Sequence, residues 1–125
     1  MKTDNLTILG RHAVAEFVKI DPDILRNAEL LESIMKSACV YAGATILHSR
    51  FHKFGGEGGV TGVVLLSESH ASIHTWPEHR YAAIDVFMCG DCDPNKALFV
   101  IKDALAAVTR EKITLSRGVF ELLKT

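Results

Sequence analysis

Cysteine is scarce in this chain of 125 residues. Cys39, Cys89 and Cys92 are an odd number and too few for a disulfide framework, so each thiol calls for its own explanation. An excess of either charge is also missing: 14 Lys and Arg face 15 Asp and Glu, a formal net charge of −1. That balance offers no electrostatic footprint for nucleic acid or an anionic membrane. No apolar run approaches the ~20 residues of a spanning helix, and the first residues lack a basic-then-apolar signal pattern. No nucleic-acid or membrane partner is expected, and the expected location is cytoplasmic. The length suits one domain over 1–125. Proline is down to three residues, and two of them, Pro22 and Pro94, directly follow an aspartate. Asp-Pro of this kind reads as a helix N-cap followed by proline in the first turn.

The patterning between these markers predicts the elements. Residues 6–18 are rich in β-formers and read as a strand. Ile24, Ala28, Leu31, Met35, Ala38 and Ala42 recur at helical spacing after Asp21-Pro22, and Gly43 stops that single helix. Residues 45–54 and 60–66 read as strands joined by Gly55-Gly56-Glu57-Gly58-Gly59, a mobile loop too glycine-rich for regular structure. Strands over 71–76 and 81–89 follow, with a turn near Pro77. Ala97, Leu98, Ile101, Leu105 and Val108 mark a second helix, and 112–120 closes with a strand. Because strands adjoin one another in mid-chain, the expected class is α+β. It is a two-layer sandwich with a largely antiparallel sheet and two helices on one face. The other face then needs a cover, and dimerisation through the sheets supplies one.

Chemistry-bearing residues concentrate in Ser67-Glu68-Ser69-His70-Ala71-Ser72-Ile73-His74-Thr75-Trp76-Pro77-Glu78. His70 and His74 would share one metal ion on a helix. Ile73, Thr75 and Trp76 favour a strand instead, and four strand residues span about 13 Å, too far for one ion. Cys89-Gly90-Asp91-Cys92 is a single C-x-x-C with no second pair, a weak zinc signal, so no metal is expected. A Ser-His-acid hydrolase is conceivable, but no G-x-S-x-G turn presents the serine. On residue types alone a structural serine stays the leading reading.

The longer strings add to this. Glu68-Ser69-His70, Ile73-His74-Thr75-Trp76-Pro77-Glu78, Tyr81-Ala82-Ala83-Ile84-Asp85-Val86-Phe87 and Cys89-Gly90 resemble the prokaryotic S-adenosylmethionine decarboxylase family. Gly10-Arg11-His12, Ala15-Glu16-Phe17, Gly43-Ala44-Thr45, Phe51-His52-Lys53-Phe54 and Gly62-Val63-Val64 extend the likeness over roughly 9–108.

The resemblance implies a proenzyme that cuts itself between Glu68 and Ser69, giving a β chain, 1–68, and an α chain, 69–125. In that chemistry the Ser69 hydroxyl attacks the Glu68 carbonyl and turns the peptide into an ester. Loss of the Cα proton then expels the ester oxygen, and hydrolysis leaves a covalent pyruvoyl group at residue 69. The resemblance assigns the processing base to His74, since an imidazole titrates near neutrality. It assigns processing support to Thr61, where the family often has serine. The pyruvoyl ketone forms a Schiff base with the substrate's amine and accepts the electrons released with CO₂. Cys89 is the implied proton donor, because a thiol is protonated at neutral pH. Phe54 matches the position that stacks on adenine, Glu78 the carboxylate that holds the ribose hydroxyls, and Trp76 a pocket wall. Each also has a plainer reading, as core, turn and core residue respectively. His70 is given no step, Cys39 reads as core, and Cys92 reads as a loop thiol.

The implied activity is decarboxylation of S-adenosylmethionine to the aminopropyl donor for spermidine synthesis, in a homodimer with its sites at the interface. Two alternatives stand beside it. One is a pyruvoyl-dependent arginine or ornithine decarboxylase of the same superfamily, against which Phe54 and Trp76-Pro77-Glu78 argue. The other is a non-processing regulatory homologue, against which the presence of Ser69, His74 and Cys89 argues.

Overall fold

The computed structural model describes residues 6–121; the rest of the expected 1–125 domain lies outside them. The elements run β1 (Leu6–Val18), α1 (Pro22–Leu25), α2 (Ala28–Tyr41), β2 (Ile46–Lys53), β3 (Val60–Leu66) and β4 (Ser69–Trp76). A 3₁₀ turn over Pro77–His79 leads to β5 (Tyr81–Cys89), α3 (Pro94–Leu105) and β6 (Val108–Glu121). The strands form one sheet in the order β2-β3-β4-β5-β1-β6, and every neighbouring pair is antiparallel.

Period-2 alternation decides which side chains meet the helices. Ala13, Ala15 and Phe17 of β1, Val60, Val64 and Leu66 of β3, Ala71 and Ile73 of β4, and Ala82, Ile84, Val86 and Met88 of β5 are buried. They form one core with Leu31, Met35, Ala38 and Cys39 of α2 and Ala97, Leu98, Ile101 and Leu105 of α3. The α+β sandwich with helices on one face is therefore the observed class. The opposite face carries Ile8, Val14, Val63, Leu65, Ile113, Leu115 and Val119, all exposed. Among the described residues nothing covers it.

Local chemistry corrects three of the expectations. The single helix expected from Pro22 to Ala42 is two, because Asn27 intervenes: its side chain accepts from the Leu30 amide at 3.1 Å and caps a new helix. The Asp21 and Asp93 side chains cap α1 and α3 as their Asp-Pro pairs predict, accepting from Asp23 and Asn95. β4 starts at Ser69 and β6 at Val108, both earlier than their apolar patterns indicate, because partners supply ladder bonds there. Ser69 pairs with Leu66 and Met88, and Val108 with Val18. The glycine loop, expected to be mobile, is tied down. Lys53 Nζ donates to the carbonyls of Phe54, Gly56 and Gly58, and Arg26 donates to that of Glu57 at 3.2 Å.

Thr75 ties the short helix to the sheet. Its buried hydroxyl donates to the Leu25 carbonyl at 2.7 Å and accepts from the Val60 amide at 2.8 Å. Thr75→Val keeps the shape and removes the hydroxyl that both the Leu25 carbonyl and the Val60 amide bond to. Each group left unsatisfied costs ~1–3 kcal/mol, and the loss is read as a lower midpoint in urea unfolding with an unchanged slope.

Candidate active site

The residues singled out in the sequence gather at the two ends of β4. At its start stands the Glu68–Ser69 peptide. The Glu68 carbonyl accepts from the Cys89 amide at 2.9 Å, and a Glu68 carboxylate oxygen accepts from the Thr45 amide, also at 2.9 Å. The peptide is thus held on both sides, with its carbonyl already polarised by an N–H donor. Ser69 has φ 143°, a region that L residues rarely adopt. This strain sits at the bond expected to break. The Cys89 whose amide holds this carbonyl has a partly exposed thiol, and Gly10 of β1 gives it room. A side chain on Gly10 would meet Phe87 at 2.9 Å, the Met88 carbonyl at 3.0 Å and Cys89 Sγ at 3.3 Å.

At the far end of β4 lies an open cleft of about 660 Å³ whose lining includes Phe54, Thr61, His74, Trp76, Glu78 and Arg26. Thr61 Oγ1 and His74 Nδ1 are 3.2 Å apart, joined across the β3–β4 register. Trp76 stacks on Tyr81 with ring centroids 5.2 Å apart, and the Tyr81 hydroxyl donates to Glu16 at 2.6 Å. Burial, the hydrogen bond to Glu16 and the charge of that carboxylate push the Tyr81 phenol up to about 12. Phe54 and Trp76 are half exposed, so neither is a core filler. Arg26 was not anticipated; its only sequence signal was a charged residue closing α1.

One chain does not join the two ends. Five residues of extended strand, about 16 Å, separate Ser69 from His74, so Ser69, Glu68 and Cys89 form one group while His74, Thr61, Phe54, Trp76 and Glu78 form another. Cys39 is wholly buried, and desolvation pushes its thiol up to about 12, as suits a core residue. Cys92 is also turned into the core, where burial raises its thiol, so it is not a free loop thiol.

A third cluster, unassigned in the sequence, lies on the open sheet face beside Ser69. Asp85 Oδ2 is 2.6 Å from His12 Nε2 and 3.0 Å from His70 Nε2, and Ser72 donates to Asp85 Oδ1. The ligand-type atoms of His12, His70 and Asp85 fall within 4.8 Å of one another, near enough to raise the question of a metal. Arg117 Nη1, which can only donate, lies 2.9 Å from His12 Nδ1. His12 Nδ1 is therefore an acceptor, and its Nε2 carries the proton that points at Asp85. A cation would have to displace that proton beside a guanidinium, so the arrangement is a hydrogen-bonded cluster. Burial alone would push the Asp85 carboxyl up, but hydrogen bonds from Ser72, His12 and His70 outweigh it and hold it below its ordinary 3.8.

Comparison with known proteins gives consistent results. Residues 11–118 match the family model described as S-adenosylmethionine decarboxylase. An S-adenosylmethionine decarboxylase proenzyme from Thermotoga petrophila is 51% identical over 114 residues, covering 90% of this chain and 87% of the relative. The proenzyme of that name from Bacillus velezensis is 47% identical over 111 residues, covering 89% and 87%. The crystal structure of the adenosylmethionine decarboxylase from Aquifex aeolicus superposes with a TM-score of 0.84 at 35% identity, over 95% of this chain and 98% of that one.

Asp85 also links the cluster to acid stability. A carboxyl depressed by folding stabilises the fold above its ordinary pKa and loses that contribution as pH falls through the depressed value. The wild-type Tm should therefore fall more steeply below about pH 4 than that of Asp85→Asn, as followed by circular dichroism.

Proposed function

This chain belongs to the S-adenosylmethionine decarboxylase family and is an enzyme that removes the carboxyl group of S-adenosylmethionine; we propose that it does so with a pyruvoyl group made from its own Ser69. The observation that carries the proposal is the state of the Glu68–Ser69 peptide. It combines a serine with a β-hydroxyl and a strained φ, a carbonyl held by the Cys89 amide, and a glutamate side chain anchored on Thr45. These residues fit a bond that rearranges to an ester and is then cut, leaving 1–68 and 69–125 packed as one domain. Every strand pairing that holds residues 69–76 in the sheet survives a break at their N-terminal edge.

When present, the pyruvoyl group supplies an electron sink for the electrons released with CO₂. The chain's own residues do the rest. Cys89, beside the cleaved bond, holds the proton returned to the substrate carbon. Phe54 offers an exposed ring to the adenine and Glu78 a carboxylate to the ribose hydroxyls, while Trp76 walls the cleft. His74, bonded to Thr61, takes the Ser69 Cα proton during processing.

That last role requires a second copy, since about 16 Å of strand lies between His74 and Ser69 of one chain. Two sheets packed face to face around a two-fold axis bring the start of one β4 against the end of the other. The partner's His74 then serves this chain's Ser69. The uncovered aliphatic face formed by Val14, Val63, Leu65, Ile113, Leu115 and Val119 supplies the apolar surface for such a dimer. The decarboxylated product is then the aminopropyl donor for spermidine synthesis, as the family resemblance implies.

Intact mass spectrometry tests the processing step. Purified wild-type protein should give two fragments split after Glu68, the second with a ketone at its N-terminus, whereas Ser69→Ala should stay one chain. An uncut wild-type chain after long incubation would sink the proposal and favour a regulatory homologue. Release of labelled CO₂ from S-adenosylmethionine, but not from arginine or ornithine, tests the pocket. There, Glu78→Gln should raise KM by roughly 10–100-fold, the value of a charge-assisted hydrogen bond, with a smaller change in kcat.

A further inference from the structure

The cluster beside Ser69 has the connectivity of a serine–histidine–aspartate relay. Ser69 Oγ lies 3.4 Å from His70 Nδ1, and His70 Nε2 lies 3.0 Å from Asp85 Oδ2. An ionised carboxylate only accepts, so His70 Nε2 carries a proton and donates it to Asp85. In the neutral ring that leaves Nδ1 bare, and Nδ1 is the nitrogen that faces the serine hydroxyl. Asp85 is in turn fixed by Ser72 on its other oxygen and by His12, whose tautomer Arg117 determines. The groups facing His70 are Asp85 and Phe87 from β5, His12 from β1 and Leu65 from β3, with Arg117 of β6 behind His12. Among these Asp85 is the one group that can orient the ring by accepting its proton.

We propose that His70 is the base that activates Ser69 for the first step of self-cleavage, with Asp85 as the residue that positions it. The inference rests on the self-cleavage reading given above and deepens it by separating two proton transfers. His70, in the same chain, takes the Oγ proton as Oγ attacks the Glu68 carbonyl carbon. The Cys89 amide holds the oxyanion that results. The C–N bond then breaks, and His70 returns the proton to the Ser69 nitrogen. The product is an ester and a free amine, with no atom gained or lost. The partner's His74 acts only afterwards, on the Cα proton. The 3.4 Å gap exceeds an ordinary O–H···N bond and closes as the hydroxyl swings toward the carbonyl, as bonds of this kind tighten on the way to reaction.

Hydroxylamine separates the two steps, because it cuts an ester but not a peptide, taking Glu68 as a hydroxamate and leaving a fragment that begins with serine. The full-length chain is incubated with hydroxylamine and followed by intact mass. His74→Ala should form the ester, fail to eliminate and be cut by hydroxylamine. His70→Ala should be cut at least 100-fold more slowly than His74→Ala, the lower end of what a positioned base contributes. Asp85→Asn, which keeps the size of the side chain, should be slowed at least tenfold, and it carries the test if His70→Ala does not fold. In a Ser69→Cys background both losses should shrink to a few-fold, since a thiol ionises without a base. A merely structural role would leave them unchanged. Cutting of His70→Ala as fast as His74→Ala, or equal losses in the serine and cysteine backgrounds, would overturn the proposal while wild-type self-cleavage stands. A wild-type chain that neither cuts itself nor is cut by hydroxylamine would overturn the self-cleavage reading and this inference with it.

Discussion

The double pairing of β4 is the constraint on which the rest of this structure depends. Its residues are bonded to β3 on one side and β5 on the other, from Ser69 to Trp76 on the β5 side. Central strands cannot slip by one residue without exchanging their faces. Ala71, Ile73 and Thr75 are therefore committed to the core, and His70, Ser72, His74 and Trp76 to the open face. The same ladder carries Cys89, at the end of β5, to the Glu68 carbonyl. A strained residue such as Ser69 persists only where its surroundings over-determine it, and here they do: a ladder on both sides, a caught carbonyl and a caught carboxylate.

The open face has a second consequence. In a small α+β domain, one face of the sheet pays for folding and the other is free for chemistry. This chain puts its titratable residues on that free face among aliphatic side chains. Histidines, Asp85 and Arg117 stand beside Val14, Val63, Leu65 and Leu115. Such a surface is poorly suited to water, and it is well suited to a second copy that dries it. Drying strengthens each hydrogen bond in the His12–Asp85–His70 cluster, because the effective dielectric falls. In the proposed dimer, processing and association are coupled by physics, because the same partner would supply both a base and the low-dielectric cover.

Much of the fold was legible. The Asp-Pro caps, the glycine after α2 and the period-2 strands come from local preferences, which operate within a few residues. Legibility failed where a distant partner decided. Asn27 is the exception, a local cap only three residues from the amide it satisfies, and the apolar stripe continuing through it hid the break. The glycine loop looked mobile because the cations that hold it, Arg26 and Lys53, lie outside it. Cys92 looked like a loop thiol because its burial depends on how α3 and α2 meet. His70 had no readable task, since Asp85 lies fifteen residues away and faces it only through β-pairing.

By itself the sequence marked the residues to which the family resemblance gives the proposed roles. Ser69, His74, Trp76 and Glu78 sit in one long specific string, with Phe54 and Cys89 in shorter matching strings on either side, and the β-hydroxyl that the proposed cleavage requires is a property of residue type. It also determined the faces, because alternation along a strand is covalent geometry. Only the tertiary structure decided which of these residues meet. Sheet order is set by long-range hydrogen bonds and core packing, not by neighbours in the chain. It places Cys89 against Glu68 and Asp85 against His70 and His12, while leaving His74 of the same strand a dozen or more ångströms from the serine it accompanies in the sequence.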